Sequence, residues 1–281
     1  GIFDDIYALP ALPKLLVQIA AALVAVLHGN VIQVLSNPNI FSENPYWTLG
    51  SLAVPLSVIW IVAITNAVNL IDGLDGLAVG VATISSLTML VIAMLVSENV
   101  VALMMAALAG GCIGFMPYNL NPAKIFMGDT GSTFLGFVLA TVSIQGLFKF
   151  YTIISFAVPF LMLGLPLFDT CFAILRRLAK GQSPMAPDRS HVHHRLIDMG
   201  FNQKQAVAII YVISAILGLS AVVLTTSGAM KAMVLLCALC LAGLISGKIF
   251  LSHNENHQEK TKEKESNYHA IESHDDLRDP P

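Results

Sequence analysis

Before residue 252 this sequence has only ten acidic side chains, and six of them fall in four short stretches where almost everything capable of chemistry is gathered. The first stretch is Asp4-Asp5. Adjacent carboxylates repel, so they persist where a metal or cation holds them, or where one carries a proton. A helix-entry cap ahead of Pro10 and Pro13 is the plainer alternative. Lys14 follows ten residues after Asp4, an ammonium that either binds phosphate or snorkels at a membrane edge. The second stretch, 66–77, reads N-A-V-N-L-I-D-G-L-D-G-L. Asn66, Asn69, Asp72 and Asp75 at the exit of an apolar helix are expensive to place there. Gly73 and Gly76 let a backbone approach a ligand closely. Carboxylate and amide oxygens suit Mg²⁺, which usually takes one or two protein ligands plus substrate phosphates.

The third stretch runs from Asn119 and Asn121 through Lys124 and Phe126 to G-D-T-G-S at 128–132. Asp129, Thr130 and Ser132 can cap the apolar helix that follows. The same helix N-terminus offers N–H groups and a positive dipole end to a phosphate. Phe126 can stack on a base or pack at a bilayer edge. The fourth stretch, 183–195, holds Asp188, Arg189, His191, His193, His194 and Arg195. Its spacing is not that of a zinc finger or of H-E-x-x-H. An anion clamp fits better, with Arg on phosphate and imidazole as donor or proton shuttle. Just beyond, Asn202 and Gln205 read as a reciprocal cap opening a helix. Acids, amides, a lysine and an Arg/His loop can together bind Mg²⁺ and a diphosphate, which is the equipment of phosphoryl transfer.

Composition says what must position these residues. The chain has 281 residues, 56% apolar and 12% charged, with a mean hydropathy of +0.73; soluble domains carry roughly 25% charged residues. A soluble globule, a disordered chain and a basic nucleic-acid binder are excluded. Eight apolar stretches near the 20-residue length of a membrane span lie at about 11–28, 49–65, 77–96, 100–117, 131–148, 152–175, 206–226 and 229–251. The expected fold is an all-α, polytopic integral membrane protein of about eight helices. Residues 1–251 form its membrane-embedded catalytic domain, and 252–281 a disordered acidic tail. The first 251 residues hold 11 Lys/Arg against 10 Asp/Glu, the last thirty 4 against 8.

With residues 1–10 cytoplasmic, thirteen of the fifteen Lys and Arg fall on the cytoplasmic side, leaving Lys149 and Lys231 opposite. Asp4, Asp5, Asp72, Asp75, Asp129, Asp169, Asp188 and Asp198 fall on that same side. A polar site built from several cytoplasmic loops follows. Cys112, Cys171, Cys237 and Cys240 sit in apolar stretches and read as packing residues. No signal peptide is expected at Gly1.

The four stretches, in this order and on this face, resemble the polyprenyl-phosphate N-acetylhexosamine-1-phosphate transferase superfamily over nearly all of residues 1–251. The resemblance rests on F-D-D at 3–5, the string at 66–77, G-D-T-G-S at 128–132 and A-P-D-R-S-H-V-H-H-R-L at 186–196. The H-x-H-H string looks most like bacterial undecaprenyl-phosphate GlcNAc-1-phosphate transferases. The resemblance implies transfer of a sugar-1-phosphate from a UDP-N-acetylhexosamine to undecaprenyl phosphate at the cytoplasmic face of the cell membrane, the first step of a lipid-linked envelope polysaccharide.

It also implies roles. Asn69 and Asp129 would hold Mg²⁺, with Mn²⁺ as a substitute. Asp4 and Asp5 would deprotonate or position the lipid phosphate, or serve as the metal site. Lys14 would contact phosphate, Asp72 and Asp75 would line the nucleotide pocket, and Asn119 and Phe126 would meet uracil. Asp188, Arg189, His191, His193, His194 and Arg195 would close on diphosphate and sugar, His193 with a catalytic part. A homodimer is left open, and nucleic acid is not a partner. The superfamily has helices ahead of the acidic pair, so Gly1 is expected to mark a shortened chain. An ion-coupled transporter would place its polar residues near the midplane and in repeated halves, which this sequence does not do.

Overall fold

The computed structural model describes residues 1–7, 9–36, 44, 46–146, 154–182 and 191–227. Short helix α1 (Ile2–Tyr7) leads into α2 (Ala11–Leu27). A small antiparallel hairpin follows, β1 (Val34–Ser36) with β2 (Tyr46–Thr48), in the register Val34 to Thr48. The main helices are α3 (Ala53–Leu70), α4 (Leu77–Leu95), α5 (Asn99–Asn119) and α6 (Gly128–Gly146). Then come α7 (Ile154–Met162), α8 (Gly164–Ala179), the short α9 (Val192–Asp198) and α10 (Gln203–Ser227). The described chain is all-helical apart from the hairpin.

Among the described residues, four helices are long and apolar enough to cross a membrane, α3, α4, α5 and α10, and α2 is a shorter apolar helix. The expected eighth span at 229–251 and the tail lie outside the described residues. Helix α4 is the central one, with 72% of its apolar window buried against 28% for α5. It packs on α5 and α10, while α3 packs on α6, α2 and α8. Gly136 of α6 permits a close backbone approach to α3, since a Cβ there would stand 2.7 Å from Thr65 Cα. Trp60 of α3 ties the same pair by donating from its indole to Ser143 Oγ at 3.0 Å. Several hydroxyls in these helices turn back onto carbonyls one turn earlier, as Thr65 does to Ile61 and Ser86 to Ala82, which satisfies each such donor within an apolar layer.

Two expectations need correction. The apolar stretch at 152–175, expected as one span, forms two helices from Ile154 onward, α7 and α8, broken at Leu163. Pro166 has no N–H for the carbonyl of Met162, so the helical ladder loses a bond at this junction, and that carbonyl accepts the Ser85 hydroxyl at 3.0 Å instead. Helix α3 extends to Leu70 rather than ending near 65, which places Asn66 and Asn69 inside its last turns. The capping pair at the start of α10 is as expected. Asn202 N–H donates to Gln205 Oε1 at 3.0 Å, and Gln205 N–H to Asn202 Oδ1 at 2.9 Å.

Candidate active site

The start of α6 is closed by a carboxylate from another segment. Asp5 Oδ1 accepts the N–H of Asp129 at 2.8 Å, and Asp5 Oδ2 accepts the N–H and hydroxyl of Thr130 at 3.1 and 2.5 Å. The sequence offered those amides to a phosphate, or to capping by Asp129, Thr130 and Ser132. The structure gives two of them to Asp5. Ser132 and Thr133 instead donate backwards to the carbonyls of Gly128 and Asp129. An anion at a helix N-terminus is favourable, and here it is part of the protein. The bonds to Thr130 come first in holding the Asp5 carboxyl below its ordinary value.

Asp129, so positioned, has both oxygens engaged. Oδ1 accepts Asn69 Nδ2 at 2.6 Å, and Oδ2 accepts Lys14 Nζ at 3.1 Å. The Asn69 amide also donates to Ser132 Oγ at 2.8 Å. Lys14 pairs in addition with Asp4, whose other oxygen accepts the N–H of Leu9 at 2.9 Å. Burial acts to raise the Asp4 carboxyl, but the Lys14 ammonium and the Leu9 amide outweigh it and hold the group low.

Negative charge is in excess at this corner, and Asp72 registers it. Burial first, then the fields of Asp129, Asp5 and Asp75, push its carboxyl up to about 6. Among the described residues no three His, Cys, Asp or Glu side chains form a metal cage of their own. Asp129 and Asn69 nevertheless supply hard oxygen donors next to surplus carboxylates. That set fits a divalent cation whose remaining positions are filled by water and phosphate oxygens.

The loop carrying Asp72 and Asp75 is held from three sides. Gly76 starts α4 in the left-handed region, at φ +81°. Its N–H donates to Asn119 Oδ1 at 3.2 Å, and its carbonyl accepts the Tyr211 hydroxyl. Asn119 is buried, with its amide nitrogen on the carbonyl of Ile125 at 3.0 Å. Asp75 Oδ2 accepts Asn121 Nδ2 at 2.9 Å and the N–H of Ala123 at 3.1 Å, and Asn121 also donates to Gln203 Oε1 at 2.8 Å. The α3–α4 and α5–α6 loops are therefore fastened together. Phe126 stands exposed above them, at the rim of an apolar groove of about 720 Å³ that passes Met104, Leu108, Phe115 and Phe134.

The histidine loop approaches from α9. His191 Nδ1 and Asp169 Oδ2 are 2.9 Å apart, and Asp169 Oδ1 accepts the N–H of Val192 at 2.9 Å. The rings of His191 and His193 are parallel within 5°, with centroids 5.9 Å apart, and His194 is 4.2 Å from His193. His193 is buried against Gly73, where any Cβ would overlap its Nε2. Burial, with the neighbouring His194 and His191, pushes the His193 imidazole down to about 4, so the ring is neutral at pH 7.

The structure thus joins Asp4, Asp5, Lys14, Asn69 and Asp129 by direct bonds. It sets Asp72 in their field and His193 against the loop between Asp72 and Asp75. Asn119 lies beneath that loop, bonded to backbone at both ends of its amide. His194 is half-buried and Arg195 exposed. Asp188 and Arg189 lie outside the described residues. The sequence places Asp169 and Asn121 on the polar face without giving them a role, and does not point to Tyr211 or Gln203. A lone carboxylate in the apolar stretch 152–175 was a signal for Asp169, whereas no local signal marks Tyr211.

The pattern described as glycosyl transferase family 4 matches residues 1–147. The chain is 44% identical to a probable undecaprenyl-phosphate N-acetylglucosaminyl 1-phosphate transferase of Bacillus subtilis, over 81% of this chain and 63% of the relative. It is 36% identical to a decaprenyl-phosphate N-acetylglucosaminephosphotransferase of Mycolicibacterium smegmatis, over 75% and 56%. It is 32% identical to a phospho-N-acetylmuramoyl-pentapeptide-transferase of Staphylococcus aureus, over 73% and 63%. The chain spans less than two thirds of the length of these curated relatives.

Proposed function

This chain belongs to glycosyl transferase family 4, and from that premise we propose that it transfers GlcNAc-1-phosphate from UDP-GlcNAc to undecaprenyl phosphate at the cytoplasmic face of the cell membrane, releasing UMP. The observation that carries this reading is the Asp5–Asp129–Asn69–Lys14 network. It gathers hard oxygen donors and an ammonium at one end of the helices, as a reaction between two phosphates requires. The names of two relatives, and the H-x-H-H string, support GlcNAc as the sugar.

An oxygen of the lipid phosphate attacks the β-phosphorus of the UDP-sugar. The bond from that phosphorus to the bridging oxygen breaks, and the oxygen leaves with UMP. Mg²⁺, held by Asp129 and Asn69, would neutralise charge on the diphosphate. Lys14 binds the incoming phosphate, and Asp4 keeps the ammonium in place. Asp5 fixes Asp129 by holding its backbone amide. The neutral His193 offers a hydrogen bond to the diphosphate without adding charge, and Arg195 supplies a cation at the open side. Phe126 gives the uracil a face to stack on.

Membranes containing the whole protein, supplied with labelled UDP-GlcNAc, undecaprenyl phosphate and Mg²⁺, are expected to pass label to the organic phase with one UMP released per sugar. Asp129→Asn is expected to lower turnover about 100-fold or more, in the range seen when one electrostatic partner of a transition state is lost. A chelator is expected to abolish turnover. Labelling by a different UDP-sugar alone would replace the sugar and keep the reaction. No labelling with any UDP-sugar would overturn the reading.

A further inference from the structure

Helix α9 has seven residues, too few to hold its own shape without tertiary contacts. Two anchors fix it. Leu196 packs into the cluster of Ile71, Leu77, Ala206 and Ile210, which sets the distance of the helix from α4 and α10. The second anchor is polar and fixes rotation and register. Asp169, buried in α8, directs one oxygen to the ring of His191 and the other to the N–H of Val192, each at 2.9 Å. His191 is the residue that enters α9, and its side chain makes no capping bond within the helix. Asp169 therefore satisfies a helix-terminal amide that would otherwise be unpaired. Two residues further on is His193, whose Nε2 edge sits against Gly73 between Asp72 and Asp75. A rotation of α9 by a fraction of a turn would withdraw that edge from the loop.

We propose that Asp169 is a positioning residue for the transfer reaction, acting through His191 and the first amide of α9 to seat His193 on the Asp72–Asp75 loop. The inference rests on the reaction proposed above. Because a carboxylate only accepts, the Asp169 contact requires a proton on His191 Nδ1.

Asp169→Asn separates positioning from folding. Asn keeps an oxygen for the Val192 amide but presents N–H to His191. It is accommodated by the opposite tautomer, with the proton moved to Nε2. In membranes from cells grown on ¹⁵N-histidine, with the His191 signal assigned by its loss in His191→Gln, the Nδ1 and Nε2 shifts are expected to exchange in Asp169→Asn. In the labelling assay Asp169→Asn is expected to lower kcat at least tenfold, with a smaller change in KM for the UDP-sugar and thermal stability close to the parent. Asp169→Glu is expected to restore part of that loss. Combined with His191→Gln, Asp169→Asn is expected to add little further loss, because the two act as one unit.

Unchanged kcat in Asp169→Asn, or losses that add fully in the double variant, would overturn the proposal. A parent protein silent with every UDP-sugar would overturn the reaction instead. The ¹⁵N shifts still report the anchor in that case, and an unaltered His191 tautomer in Asp169→Asn would refute the contact itself.

Discussion

Asp5 and Asp129 show how residue type and role separate. Both are aspartates beside a helix start, yet Asp5 caps α6 from a distant segment while Asp129 carries the bonds to Asn69 and Lys14. Asp72 and His193 are displaced in ways that predict opposite pH dependence. The His193 imidazole falls from 6.5 to about 4 on folding, chiefly by burial. The unfolded chain therefore binds more protons between those values, and this contribution is complete above pH 6.5 and lost as pH falls towards 4. Asp72 rises from 3.8 to about 6, so its contribution is complete below pH 3.8 and is lost as pH rises through 6. With divalent cations removed, Asp72→Asn is expected to raise the unfolding temperature at pH 7.5 and leave it unchanged at pH 3.5. His193→Gln is expected to flatten the loss of stability between pH 6.5 and 4. Scanning calorimetry in detergent at those pH values checks both signs, and a destabilised Asp72→Asn at pH 7.5 contradicts the first.

At the scale of elements, the site depends on how closely α3 and α6 approach, because Asn69 comes from one and Asp129 from the other. Gly136 sets that approach by leaving room for the Thr65 backbone. Gly136→Val is expected to push the helices apart, costing about 1–3 kcal/mol as overpacking does, and to lower activity even in the protein that remains folded. Gly110 of α5 has open space around the position of a Cβ, so Gly110→Ala serves as the control and is expected to change neither. Equal thermal stability of Gly136→Val and the parent would show that the interface yields. The break between α7 and α8 belongs to this scale too. Asp169 lies on α8, in the second turn after Leu163, so the break sets the direction from which it meets α9.

At the scale of the molecule, the hydrogen bonds divide into two ends. Lys14, Asn69, Asp75, Asn119 and Asp129 meet at one. At the other, beyond α2 and near the end of α6, Gln145 donates to Asn30 at 2.7 Å. The basic residues predict that the first end is cytoplasmic. In intact cells, a cysteine placed by Lys124→Cys is expected to resist an impermeant maleimide until the membrane is opened. One placed by Ser97→Cys, in the exposed α4–α5 turn, is expected to react at once. The reverse pattern would invert the orientation.

The sequence by itself determined that the chain is a helical membrane protein, that its acids and amides gather on one face, and where α10 is capped. Hydrophobic length, charge asymmetry and a local capping pair are properties of neighbouring residues, so they are legible without a fold. Tertiary structure alone decided that Asp5 occupies amides that the G-D-T-G-S string offered to phosphate, 124 residues away. It alone decided that Asn119 supports a loop and that Tyr211 closes on Gly76, 135 residues distant. It also turned Asp169 from a costly carboxylate in an apolar stretch into the partner of His191. Each of these depends on which donors and acceptors meet once the helices have packed, and no spacing along the chain encodes that distance in space.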